Sequence, residues 1–321
     1  MLHTPIKKFH RFIVLKSVFF LPEEKRLQVE RRHRGREQLG KLRHADCTFA
    51  SYGNSGRTWM RVMLSRFYQE RYGITKPRLI NFDNFHRKNS AVPKVFFTHD
   101  NFIKDYTGNF DTKADFYGRK TILMVRNPAD VSVSQYFQWQ HRMKPEKKAL
   151  NRFPPHESEV ELFDFVMRSD SGLPKIINFM NVWANDLANL DDFLLVRYED
   201  LRADTEKWLD EILRFMDTPG TEAEVRDAVE YGSIKNMKKL ETTSTGWVGG
   251  GRLKPGNKDN PDSYKVRRAK VGGYSDYFDT GQLAQINQLV QETLSPVFGY
   301  TGSGTTDNND SDTPAMAGGA G

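Results

Sequence analysis

Ser51-Tyr52-Gly53-Asn54-Ser55-Gly56-Arg57-Thr58-Trp59 sits between a short β-rich run, Cys47–Ser51, and a helix-like pattern over residues 58–72. A glycine-containing turn from strand to helix aims unpaired backbone N–H groups, and the positive end of the helix dipole, at any anion placed there. Ser55 and Thr58 add hydroxyl donors and Arg57 adds a fixed charge. The common nucleotide loop, Gly-x-x-x-x-Gly-Lys-Ser/Thr, is absent, because only Asn54 and Ser55 separate Gly53 from Gly56 and no lysine follows. Seen alone, the stretch reads equally well as an ordinary polar turn that caps a helix.

Outward from this turn, further β-rich runs at 94–98, Thr121–Val125 and Phe193–Arg197 alternate with helical apolar periodicity over 128–142, 173–190 and 205–216. That alternation predicts an α/β protein with a central parallel sheet flanked by helices. Ligands of such sheets bind beyond the carboxyl ends of the strands. Directly after Thr121–Val125 comes Arg126-Asn127-Pro128-Ala129-Asp130-Val131-Ser132-Val133-Ser134. Asn127 is suited to cap a helix, Pro128 to be its first residue and Asp130 to favour its dipole. Ser134, two turns on, can share a side with Arg126, so that a guanidinium and a hydroxyl converge on one phosphate. The alternative is a well-capped surface helix whose arginine pairs with a carboxylate.

Three segments follow from composition: a basic N-terminal extension over 1–45, one domain over 46–300, and a tail over 301–321. The tail is rich in Gly, Ser, Thr, Asp and Asn and has little apolar area to offset its ordering entropy, so it is expected to be disordered. Net charge is +7 with a pI near 9.3, which suits a partner rich in phosphate or sulfate and equally a nucleic acid or an anionic membrane. Cys47 is the only cysteine, so an internal disulfide and a zinc site built on several thiolates are excluded and a reducing cytoplasm is the simplest home. The apolar run from Phe12 to Leu21 is about ten residues, half of what a bilayer span needs. With Lys7, Lys8, Arg11 and Lys16 around Phe9, Phe12, Phe19 and Phe20, it can instead dock peripherally on an anionic membrane, or pack as a core helix.

Together, the two phosphate-type motifs resemble those of the PAPS-dependent sulfotransferase family (PAPS is 3′-phosphoadenosine 5′-phosphosulfate). Its first loop reads Tyr-Pro-Lys-Ser-Gly-Thr-Thr-Trp and its second motif Arg-Asn-Pro-x-Asp-x-x-x-Ser. Val196-Arg197-Tyr198-Glu199-Asp200-Leu201 resembles the family's Tyr-Glu-Asp-Leu segment, and Ser233-Ile234-Lys235-Asn236-Met237-Lys238 its Ser-Phe-x-x-Met-Lys segment. Arg267-Arg268-Ala269-Lys270-Val271-Gly272-Gly273-Tyr274 resembles the loop Arg-Lys-Gly-x-x-Gly-x-Trp. The resemblance implies a P-loop-like sulfotransferase fold and sulfuryl transfer from PAPS to an acceptor hydroxyl, without a metal. It implies that Ser55, Gly56, Arg57, Thr58 and Trp59 hold the 5′-phosphosulfate, with Trp59 also near the adenine. Arg126, Ser134, Arg267, Arg268 and the backbone at Ala269 would hold the 3′-phosphate, and Tyr198, Ser233 and Ile234 would line the nucleoside. His99, after the 94–98 run, stands where family members often have Lys-Thr-His and would be the base, a role suited to an imidazole titrating near neutrality.

The chain departs from the family pattern at Asn54, where the loop has a lysine that stabilises charge on the breaking bond. Losing such a donor commonly costs on the order of 10²–10³ in rate; Arg57, three residues on, is the expected compensating cation. A binding protein that holds PAPS or 3′,5′-ADP without transfer is the alternative that Asn54 favours. A nucleic-acid partner is disfavoured because no recognition motif accompanies the basic 25–43 stretch, and a kinase because no lysine-bearing loop or magnesium set is evident. The segment 140–170 reads either as an acceptor loop or as a solvated insertion.

Overall fold

The computed structural model describes residues 4–75, 78–243 and 253–301, and side chains from Arg11 onward. The expected disorder of the tail therefore falls outside the described residues beyond Thr301, as do the side chains of Lys7, Lys8 and Phe9. In chain order the elements are α1 (Thr4–Ser17), α2 (Glu23–Leu42), β1 (Cys47–Ser51), α3 (Arg57–Tyr72), β2 (Val95–Thr98), α4 (Ile103–Thr107), β3 (Thr121–Val125), α5 (Pro128–His141), α6 (Pro145–Leu150) and α7 (Leu162–Met167). Then follow α8 (Leu173–Asn185), β4 (Phe193–Arg197), α9 (Tyr198–Ala203), α10 (Thr205–Phe215), α11 (Glu222–Tyr231), α12 (Ile234–Thr243) and α13 (Thr280–Thr293).

The four strands form one parallel sheet in the order β2-β1-β3-β4. Strands β1 and β3 are buried at every position, which is why both read as continuous apolar runs rather than as alternations. Alternate residues nevertheless face opposite layers. Ala50, Phe96, Leu123 and Val125 pack with Val131, Trp183 and Ile286 of α5, α8 and α13. Phe49, Val95, Ile122, Met124 and Val196 pack with Met60, Leu64, Leu209, Ile212 and Ala228 of α3, α10 and α11. Leu39 and Leu42 of α2 are buried in the first of these layers, so the basic segment ends inside the core.

From β1 the chain runs outward to β2 and then returns past β1 to β3. The connections leaving β1 and β3 thus diverge over adjacent strand ends, the place where open parallel sheets hold ligands. The helix expected over 173–190 is in fact two pieces: α8 ends at Asn185 and a single 3₁₀ turn, Leu187–Asn189, follows. Asp186 separates them, because its carboxylate accepts from Thr112 Oγ1 at 2.5 Å and from the Lys113 backbone N–H instead of standing on a helix surface.

Candidate active site

Gly56 precedes α3 with φ of 92°, and no side chain caps the helix. Only glycine takes that conformation without strain, and a Cβ there would lie 2.6 Å from Met124 and 2.7 Å from Tyr198. The first N–H groups of α3 therefore face the cavity at the sheet's carboxyl end. Asn54 is also left-handed, at φ of 64°, a conformation an Asn accepts more readily than most residues. Its side-chain amide donates to Gln135 Oε1 at 3.2 Å, and its carbonyl accepts from Arg126 at 3.4 Å. Ser55 is buried beneath the turn, while Gly56, Arg57, Thr58 and Trp59 line the cavity.

The second motif folds as its residues require. Asn127 Oδ1 accepts from Ala129 N at 2.9 Å and Asp130 N at 3.4 Å, and Pro128 begins α5. Arg126 is clamped between the two loops. It reaches Lys270 O at 3.3 Å, pairs with Asp130 at 3.2 Å and lies 4.7 Å from the Tyr198 ring centre. The arginine thus pairs with a carboxylate, as one sequence alternative expected, on a helix that is largely buried rather than on the surface, and it lines the cavity together with Ser134.

Asp130 does more than favour the helix dipole. Almost fully buried, it accepts from Gly272 N and Tyr274 N, each at 2.9 Å, and so docks the 267–274 loop onto the start of α5. Glu199 acts in a parallel way, accepting from Asn127 N at 2.9 Å and from the Tyr300 hydroxyl at 2.5 Å. Neither role can be read from spacing, because each partner lies at least seventy residues away in the chain.

The loop residues are held rather than loose. Arg267 lies 3.6 Å from the Phe137 ring centre and pairs with Asp262 at 3.1 Å, and Arg268 pairs with Asp276 at 2.5 Å. Ala269 is left-handed at φ of 52°, which carries a strain that a glycine would avoid. Trp59 donates from Nε1 to Gly232 O at 2.7 Å and stands edge-to-face with Tyr198, ring centres 5.9 Å apart. With Ile234 these rings make an aromatic and aliphatic wall of the cavity. Ser233 is exposed, its hydroxyl accepting from Asn236 N at 3.4 Å at the start of α12, and only its neighbours Gly232 and Ile234 line the cavity.

His99 lies at the end of β2, where its Nδ1 is 2.9 Å from Ser51 O and its Nε2 is 2.5 Å from an Arg57 Nη. A carbonyl can only accept, so Nδ1 carries the proton and Nε2 presents its lone pair, here toward Arg57. Burial, and then the Arg57 charge, hold the imidazole well below its ordinary value, so it is neutral at physiological pH. The turn behind it is fixed by a buried ion pair, Lys113 to Asp100 at 2.6 Å, with both side chains 4% exposed. His99, Arg57, Arg126, Ser134, Tyr198, Arg267 and Arg268 meet in a cavity of ≈ 1720 Å³. Among the described residues no cluster of three or more His, Cys, Asp or Glu could hold a metal ion, and no helix is long and apolar enough to cross a membrane.

The sulfotransferase domain family matches residues 111–298, more than half of the chain. The chain belongs to that family of transferase enzymes. It is 25% identical to the cytosolic sulfotransferase 15 of Arabidopsis thaliana over 67% of this chain, a match spanning only 55% of that relative's length. It is 22% identical to cytosolic sulfotransferase 5 of the same plant, over 79% of this chain and 81% of that one. Among solved structures, mouse sulfotransferase SULT7A1 complexed with PAP shares the fold, with a TM-score of 0.54, 20% identity and coverage of 82% and 92% of the two chains. A retinol dehydratase in complex with androsterone and PAP aligns with a TM-score of 0.52, 17% identity and coverage of 77% and 80%. The 51–59 turn lies outside the matched family segment, so its assignment rests on its position at the β1 end and on the groups it presents.

Proposed function

We propose that the protein is a cytoplasmic sulfotransferase that moves the sulfuryl group of PAPS to an acceptor hydroxyl, with His99 as the base and Arg57 as the cation that stabilises the leaving phosphate. The observation that carries this reading is the meeting of His99 Nε2 and Arg57 beside the N–H groups of α3. In the step, the acceptor oxygen forms a bond to sulfur as sulfur's bond to the phosphate oxygen breaks. That electron pair leaves with 3′,5′-ADP, and the hydroxyl proton passes to His99 Nε2. The family comparison and the PAP-bound relatives of similar fold support PAPS as co-substrate.

The described residues fit such a nucleotide. The α3 N-terminus, Thr58 and Arg57 would face one anionic group, while Arg126, Ser134, Arg267, Arg268 and the backbone at Ala269 would face a second; Ser55, expected there from the sequence, is buried off the lining. Trp59, Tyr198, Gly232 and Ile234 offer the purine a wall, whereas Ser233, expected there from the sequence, lies off the lining. Arg57 donates to His99; a bound phosphosulfate would draw the guanidinium to itself and release the Nε2 lone pair for the acceptor. The base is then uncovered only when the donor is bound.

Arg126→Ala is expected to weaken 3′,5′-ADP at least about tenfold, the scale of a charge-assisted hydrogen bond, and to change 5′-ADP much less. Calorimetry with both nucleotides, alongside thermal unfolding to verify the fold, checks this; equal losses would remove Arg126 from the 3′-phosphate.

The N-terminal segment supports peripheral contact with an anionic membrane, because Phe12 and Ile13 of α1 are 57% and 49% exposed near Arg11 and Lys16, and Phe19 and Phe20 just beyond the helix are 71% and 70% exposed. Flotation with anionic vesicles is expected to recover the full chain and not a chain starting at Pro22; equal recovery of the two would contradict the contact.

A further inference from the structure

The cavity is larger than the roughly 300–1,000 Å³ of an ordinary small-molecule site, and one part of its wall has no assignment in the nucleotide. Four carboxylates line the cavity, and each is taken by an arginine: Asp105 by Arg31 at 2.9 Å, Asp130 by Arg126, Asp170 by Arg168 at 2.9 Å and Asp262 by Arg267. Other cations of the lining stand outside these four pairs. These include Lys25 and Arg32 of α2, Lys104 of α4, Lys144, and Arg152 beyond α6. The side chains of these five make no hydrogen bond or ion pair among the described residues.

A surface run of basic residues is most often a solvated face. Here the charges come from separate elements, α2, α4 and the 142–152 segment, and converge on one concavity rather than spreading along one helix. Lys175 adds to the same wall, its ammonium donating to the carbonyls of Asn151 and Asp170 at 2.8 and 2.7 Å and lying 5.0 Å from the Phe153 ring centre. Holding like charges together around one concavity is unfavourable by itself. Burial, and then the charge of Arg31, push Lys175 down to about 8. A bound anion relieves that repulsion.

Resting on the sulfotransferase reading above, we infer that the acceptor is itself polyanionic, a hydroxyl-bearing molecule whose sulfate, phosphate or carboxylate groups are received by this wall while its hydroxyl reaches His99. Unpaired cations around a cavity steer such a ligand in and bind it in a salt-dependent way, whereas a neutral phenol or sterol gains nothing from them.

The test uses labelled PAPS with one disaccharide scaffold in four forms: neutral, sulfated, phosphorylated and carboxylated. Each form is also titrated into the 3′,5′-ADP-loaded protein at low and high salt. The expected result is a kcat/KM at least about tenfold higher, and tighter binding, for one or more anionic forms, with the advantage shrinking as salt rises. The double variant Lys25→Glu, Arg32→Glu changes two exposed residues and should lose that preference while keeping 3′,5′-ADP affinity within about twofold. Equal use and equal binding of neutral and anionic forms, or a preference that survives the charge reversal, overturns the inference. Failure to bind 3′,5′-ADP would instead strike the nucleotide reading. Tighter binding of an anionic form than of the neutral one would support the wall even if no sugar were sulfated.

Discussion

His99→Ala is expected to lower turnover by about 10²–10⁴, the usual contribution of a positioned base, with 3′,5′-ADP affinity within about threefold of wild type. The tautomer argument makes the expectation specific. With Nδ1–H committed to Ser51 O, only Nε2 can take a proton, and Nε2 is the atom facing the cavity beside Arg57. In the proposed step the phosphosulfate draws the arginine from that lone pair before the acceptor oxygen reaches it, so nucleotide binding and base exposure would be coupled. Stopped-time assays of sulfated product, with nucleotide affinity measured separately, check the split. Near wild-type turnover by folded His99→Ala protein would remove it as the base.

Arg57→Ala should act twice, and the two effects have different signatures. Loss of a charged donor from the leaving phosphate lowers single-turnover transfer by about 10²–10³, and this loss should exceed the loss in 3′,5′-ADP affinity, because charge on the phosphate grows as the bond breaks. The second effect concerns pH. Burial and Arg57 hold His99 low, with smaller contributions in the same direction from Lys265 and Lys147, while Ser51 O acts in the opposite direction. Removing Arg57 raises the imidazole toward its ordinary value. Since the active base is neutral, the acidic limb of the kcat/KM profile should move to higher pH in Arg57→Ala, leaving the variant relatively poorer at pH 6 than at pH 8. An unshifted limb, or transfer at the wild-type rate, would contradict the assignment. Asn54→Ala should cost less, because the Asn54 amide already donates to Gln135.

The sheet was legible because its central strands are buried on both faces and so announce themselves as apolar runs bounded by turn residues. Boundaries moved only slightly: β2 begins at Val95 rather than at residue 94, and α3 at Arg57 rather than at residue 58. The cap at Asn127 was readable because capping is local. What stayed hidden was carried by pairings distant in sequence. Asp130 looked like a dipole partner and proved to be the anchor of the 267–274 loop. Glu199 ties the end of β4 to the cap of α5, and the Lys113 to Asp100 pair stands behind His99. The contact of Arg57 with His99, which joins the proposed cation to the proposed base, spans forty-two residues and had no signature in spacing. The 140–170 segment, ambiguous as sequence, lines the cavity from Arg142 to Phe153 and again at Ser169 and Asp170.

Asn54 makes the distinction between an enzyme and a PAPS-holding protein the central question, and one measurement addresses it directly. Wild-type protein is mixed with stoichiometric PAPS labelled in sulfur and a panel of hydroxylated acceptors, anionic ones included, and label on acceptor is followed beside release of 3′,5′-ADP. Transfer of label to an acceptor, matched one for one by 3′,5′-ADP and abolished in His99→Ala, is the predicted result. Tight binding of PAPS with no label on any acceptor, and transfer appearing only in Asn54→Lys, would contradict it.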